Sequence, residues 1–219
     1  MFKSSLYTFF SALFPLFFCI PCPTDAANII LVEKLDIAQV WAGHPVNFAI
    51  KTKEKLQCVA YYNTNRRMIV ASRSPDSTSW KYTELPTTTG WDSHNYIAMA
   101  IDDSGYIHIS GNMHNVNLIY FRSKKPWNID SFESPGMIGT LENSVTYPEF
   151  IEGPNNQLFF QYRTGGSGNG ITICNSYDTK TKKWTRLTSK GLFDGENKVS
   201  AYHISPILGP DNFFHIIWM

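Results

Sequence analysis

The sequence predicts an all-β fold built as a β-propeller, and three observations carry that prediction. A unit of polar turn plus two β-rich strands repeats along the chain, a tryptophan follows each repeat, and no long segment has the apolar period of a helix. The repeats run from Glu54 to Ser72, Ser104 to Ser123 and Asn155 to Ser176, and a fourth opens at Pro210. In the first three, a loop leads to a second strand ending on Ser72, Ser123 or Ser176, and Trp80, Trp127 and Trp184 follow. These tryptophans lie 47 and 57 residues apart, near the roughly 40–50 residues of one propeller blade. A β-sandwich also has short strands between turns. The repeat tilts the choice to a propeller, whose four-stranded blades bury their faces against neighbouring blades.

The N-terminus reads differently from the rest. Met1-Phe2-Lys3 leads into an apolar stretch from Leu6 to Ile20, closed by Pro21 and Pro23 and followed by Ala26 and Ala27. That is the plan of a secretory signal peptide over residues 1–26, and the apolar run is shorter than the ~20 residues a bilayer requires. Cys19 and Cys22 are not preceded by the small residues of a lipoprotein signal and leave with the leader. A secreted or periplasmic location follows. Residues 27–219 then form the N-terminal part of a propeller domain, with Cys58 and Cys174 as its only thiols, too few for a disulfide framework. Cleavage removes Lys3 and Asp25 together and leaves the formal charge at +1, so neither nucleic acid nor a membrane surface is expected as a partner.

His94 and His114 stand 20 residues apart, each followed by an asparagine, Asn95 and Asn115, and each at an expected loop or strand end. Loops at one end of a rigid β scaffold are where sites usually sit. The plainer alternative is that both histidines hydrogen-bond the backbone between blades. Tyr147 precedes Pro148, which biases it to an extended conformation, and Arg163 ends an expected strand, Leu158 to Tyr162. Such residues suit a lyase. Abstracting the C5 proton of a uronic acid needs a neutralised carboxylate, which a guanidinium supplies, a base for the proton and an acid for the departing O4. Histidine suits either proton-transfer task near neutral pH, whereas tyrosine needs an adjacent cation to act as a base.

Other signals are weaker. Thr164 to Gly170 is glycine-rich but lacks the Lys and Ser/Thr of a phosphate loop, and reads as a hairpin loop. Asp102-Asp103-Ser104-Gly105 reads as a blade turn, and Asp92 as the holder of an Asx turn. His108, His203 and His215 read first as packing residues. No cofactor or metal is expected, since Cys58 and Cys174 lack Cys-x-x-Cys spacing, although a divalent ion on the histidines stays open. The approach to Met219 within the apolar run Phe213 to Trp218 suggests a chain truncated to roughly three and a half blades, with an aggregation-prone edge.

Trp41-Ala42-Gly43-His44-Pro45-Val46, Gly90-Trp91-Asp92-Ser93-His94-Asn95, Ser110-Gly111-Asn112-Met113-His114-Asn115 and Tyr120-Phe121-Arg122-Ser123 together resemble the BNR-repeat propeller family that contains ulvan lyases and certain α-L-rhamnosidases. The resemblance implies a seven-bladed propeller. It implies a polysaccharide lyase acting by β-elimination on a uronic-acid-containing, rhamnose-bearing acidic polysaccharide. His94, His114, Tyr147 and Arg163 would be the catalytic group on one face, with Tyr202, Asn95 and Asn115 contacting substrate. The rhamnosidase branch implies an alternative, hydrolysis through His44 on the opposite face. No carboxylate pair of the usual glycosidase kind is evident beside it. A third reading, from another class, is a non-catalytic carbohydrate-binding propeller.

Overall fold

A computed structural model describes residues 33–219. The fold is that of the compact unit Leu35–Met219. The expected leader over residues 1–26 lies outside the described residues. None of the described helices is long and apolar enough to cross a membrane.

Three four-stranded antiparallel sheets follow one another as blades of a β-propeller. The first is β1 (Ala49–Lys53), β2 (Leu56–Tyr62), β3 (Arg67–Arg73) and β4 (Lys81–Thr88), paired in that order. The second is β5 (Ile97–Ile101), β6 (Ile107–Gly111), β8 (Tyr120–Ser123) and β9 (Phe132–Glu133). The third is β10 (Val145–Glu152), β11 (Leu158–Thr164), β12 (Ile171–Asp178) and β13 (Lys183–Arg186), with β14 (Phe193–Asp194) added against β12. A short ribbon, β15 (Ile207–Leu208) and β16 (Phe214–His215), stands at the start of the next unit. One strand leaves its own blade: β7 (His114–Val116), between β6 and β8 in sequence, pairs with β10 of the third.

The period of two in the sequence explains how the blades stack. Along β2, Leu56, Cys58, Ala60 and Tyr62 point toward the second blade and pack with Met99, Ile107 and Phe121. Val59 and Tyr61, on the other face, pack with Ile69 and Ile37. Between the second and third blades the fill is more aromatic, with Tyr120, Phe160, Tyr162, Tyr177 and Trp184 around Met113 and Ile173. Burial of such side chains contributes about 1.5–3 kcal/mol each. Among the described residues Cys58 and Cys174 are both buried and free, so this packing acts there without a disulfide. Burial pushes their thiols up to about 12 and about 11.

The repeats seen in the sequence are the central hairpins of the three blades, β2–β3, β6–β8 and β11–β12. The glycine-rich segment is the β11–β12 hairpin loop, and Asp102 accepts the Ser104 and Tyr106 backbone N–H groups in the β5–β6 turn, each at 2.9 Å. His108 is fully buried, as expected. His215 is not: its side chain is 62% exposed and meets Asp211 at 3.3 Å.

Candidate active site

The site forms where β5, β7 and β10 begin. The loop Thr89–Tyr96 arrives from the end of β4, and its Asp92 folds back to accept the His94 backbone N–H at 2.9 Å, which is the expected Asx turn. The same carboxylate does more. Its Oδ1 lies 2.6 Å from His94 Nδ1 and its Oδ2 2.5 Å from His114 Nδ1. The two imidazoles stack with centroids 3.9 Å apart and 22° between planes. His114 reaches this position because β7 crosses to the third blade, where it pairs opposite Thr146.

Tyr147 follows Thr146 and stands edge-on to His94, with centroids 5.6 Å apart. Its backbone departs from the extended conformation expected before a proline. The register of β10 against β11 slips between Thr146 and Glu149, and Tyr147 takes φ +58°. A bulky side chain in the left-handed region costs on the order of 1–3 kcal/mol, and a bulge at a strand start re-aims the side chain. Here it turns the phenol toward the histidines. Tyr202 packs edge-on to Tyr147 at 5.8 Å, and the Arg163 guanidinium lies 4.9 Å from the Tyr202 ring centroid.

The structure therefore brings His94, His114, Tyr147, Tyr202 and Arg163 into one continuous cluster, with Asp92 at its base. Arg163 itself is only 3% exposed. Its Nε donates to the Ser200 carbonyl at 2.5 Å, its Nη1 to Gly165 at 2.7 Å, and its Nη2 to Gly166. Three of five N–H groups thus serve the chain's own backbone, so the fork expected to grip a carboxylate is largely committed, and the side chain offers charge more than geometry. Asn115 is exposed and receives a hydrogen bond from the Ser144 hydroxyl. Asn95 is 7% exposed, and its carbonyl accepts the Tyr62 hydroxyl at 2.6 Å, so its side chain is withdrawn from the surface.

His44 is not on the opposite face. The Ile97 N–H at the start of β5 donates to the Asn47 carbonyl just before β1, so the starts of both strands share one end. His44 sits there against Trp91, centroids 5.5 Å apart, and Trp91 adjoins Asp92.

Electrostatics distinguish Asp92, Tyr147 and His203. Partial burial works against the Asp92 charge, but the His94 N–H and the two imidazoles outweigh it and hold the carboxyl well below the usual range. An ionised carboxylate only accepts, so both imidazoles donate to it from Nδ1 and each keeps Nε2 as its second nitrogen. Burial, then Tyr202, raises Tyr147, against the opposing pull of Arg163, so the phenol stays protonated near neutrality. Behind the site, burial and then Arg163 depress His203 to about 4, which keeps it neutral. Asp92, His94 and His114 also offer three metal-ligating atoms within 4.8 Å. An ion there would have to replace both hydrogen bonds to Asp92.

Sequence reasoning read Asp92 first as a turn residue and took Trp91 only as part of a motif. The Asp-x-His spacing signals the first contact, whereas no local pattern signals the second, to a histidine 22 residues on.

Fold and site define a β-propeller with an acid–base cluster at one end of its blades. The chain belongs to the BNR repeat-containing family, whose profile matches residues 56–219. The short isoform of an ulvan lyase from Alteromonas sp. (strain LOR) is 33% identical over 79 residues, 34% of this chain and 15% of that protein. The solved polysaccharide lyase Uly1 superimposes with a TM-score of 0.58 at 20% identity, over 74% of this chain and 45% of that one. An ulvan lyase bound to GlcA(1-4)Rha3S gives 0.54 at 18%, over 69% and 40%. The chain spans less than half the length of these relatives. At such identities the structural likeness bears on fold alone.

Proposed function

We propose that the protein is a secreted polysaccharide lyase that cleaves a uronic-acid-containing, ulvan-like polymer of glucuronate and rhamnose by β-elimination. The observation that carries this reading is the stacked His94–His114 pair on one carboxylate, with a protonated Tyr147 beside it. The relatives' names support the substrate class. A polymer of this kind is met outside the cell, which agrees with the leader read over residues 1–26.

In the proposed step an Nε2 of the histidine pair takes the C5 proton of the uronate. The electron pair left on C5 forms the C4–C5 double bond, the C4–O4 bond breaks, and Tyr147 gives its proton to O4. The imidazolium then returns a proton to the tyrosinate. Asp92 balances the single positive charge on the stacked pair, and Arg163 supplies positive potential for the substrate carboxylate from beneath Tyr202. Tyr202 and Asn115 line the approach.

The test is incubation with ulvan, following near-ultraviolet absorbance of the unsaturated uronate and free rhamnose together. The expected result is rising absorbance without rhamnose, and a loss of at least about 100-fold in His114→Ala and in Tyr147→Phe. Chelator should leave the rate unchanged. Full elimination activity in both variants would overturn the site, rhamnose without absorbance would move the chemistry to hydrolysis, and loss with chelator would make the histidines metal ligands.

A further inference from the structure

We propose that Trp91 is a sugar-stacking subsite, on which a pyranose ring of the polysaccharide lies beyond the residue held at the histidine pair. This rests on the reading of the cluster as a polysaccharide site and extends it along the polymer. Trp91 is 69% exposed, more than any other tryptophan among the described residues; Trp218 comes next at 43%. It immediately precedes Asp92, which holds both histidines.

An exposed tryptophan is not by itself a site, but this one is braced. Trp41 meets it at 5.5 Å and 79°, and His44 at 5.5 Å and 75°, while Trp41 and His44 approach each other at 6.1 Å. The turn that carries the two braces is wrapped tightly around the Trp41 indole: a Cβ on Gly43 would lie 2.4 Å from that ring. The Val46 N–H closes the same turn on the His44 carbonyl at 2.9 Å. Two edge contacts on Trp91, from rings that also meet each other, fix its orientation, and a surface fixed in advance loses less entropy when a ligand settles on it.

The chemistry selects the ligand. An indole face carries negative quadrupole density and a large apolar area, whereas the C–H face of a pyranose is apolar with weakly positive hydrogens. The cation of the site, Arg163, lies at the other end of the cluster under Tyr202. Recognition is thereby divided: charge is read at the Arg163 end and ring shape at the Trp91 end. His44 becomes a positioning residue for Trp91.

The experiment measures binding apart from turnover, by affinity electrophoresis in ulvan gels with His114→Ala as the background. Adding Trp91→Ala should weaken retention roughly tenfold, about 1.4 kcal/mol, Trp91→Phe should restore most of it, and Tyr82→Ala, an exposed ring on β4 (51%), should change nothing. Unchanged retention in Trp91→Ala overturns the subsite, as does an absence of retention in the His114→Ala background itself. The wild-type absorbance assay separates the two readings. Lost affinity in Trp91→Ala alongside a wild type that forms no unsaturated product keeps the subsite and removes the lyase; unchanged affinity alongside active wild type does the reverse.

Discussion

Asp92 shows how much one side chain can settle. Its two oxygens accept from two imidazoles while its Oδ1 also closes a turn. In Asp92→Asn an amide keeps one acceptor and presents an N–H to the other ring, so one histidine must change tautomer and lose its outward basic nitrogen. Elimination should fall at least about 100-fold, with KM less affected than kcat. The stability effect has a defined sign. A carboxyl whose folded pKa is depressed contributes stability above its unfolded pKa, about 3.9, and that contribution is lost as pH falls through the folded value. Melting temperatures of wild type and Asp92→Asn should therefore differ near neutrality and converge below about pH 4. A difference that persists undiminished into strong acid would mean that the carboxylate is not held by charge. Sequence alone made His94 and His114 visible because both precede asparagine at loop positions. It left their common acceptor hidden, because that contact depends on β7 crossing between blades.

At the scale of elements, the second and third blades are joined by polar groups as well as aromatic packing. The Tyr120 hydroxyl on β8 and Asp102 in the β5–β6 turn flank the fully buried His108, at 2.7 and 3.1 Å. Burial lowers the His108 pKa, only partly offset by Asp102, so the ring is neutral. It then donates from Nε2 to Asp102 and accepts the Tyr120 hydroxyl at Nδ1. From the same strand Arg122 donates to Tyr177 at 3.0 Å and to the Lys182 carbonyl at 2.9 Å in the next blade. Tyr120→Phe keeps the ring packing and strands His108 Nδ1 without a partner, so it should cost about 1–3 kcal/mol. Calorimetry should show a melting temperature lower by several degrees; an unchanged value would mean that the network adds nothing to packing. The blade turn at Asp102 was legible from its Asp-Asp-Ser-Gly pattern. The left-handed Tyr147 was not, since the rule for residues before proline points to extended backbone, and here a bulge in β10 overrides it. Arg163 was legible as a cation but not as an anchor of its own loop, although the glycines that follow it carry the carbonyls it holds.

For the molecule as a whole, stability depends on each blade finding a complementary neighbour, and the third blade is where that fit is looser. Gln161 on β11 is fully buried, and neither its Oε1 nor its Nε2 has a hydrogen-bond partner among the described residues. It lines a cavity of about 250 Å³ together with Ile151, Phe159, Cys174, Leu187 and Phe214, between the third blade and the β15–β16 ribbon. Repetition in the sequence foretold that blade faces would meet. It could not foretell which interior position would carry an amide, because β11 is buried on both faces from Phe160 to Thr164 and no polar–apolar alternation marks Gln161. Two unpaired polar atoms in an apolar setting cost about 1–3 kcal/mol. Methionine matches glutamine in length, has no strong hydrogen-bonding group and adapts to irregular gaps. Gln161→Met should therefore raise the melting temperature by a few degrees without altering elimination, since Gln161 lines the cavity with Phe159 and Cys174 and stands two residues short of Arg163 along β11. A lower melting temperature would sink the idea. It would mean that buried water bridges the amide, as water does in polar cavities roomy enough to hold it, and that the cavity is a hydrated joint between blades instead of a packing defect.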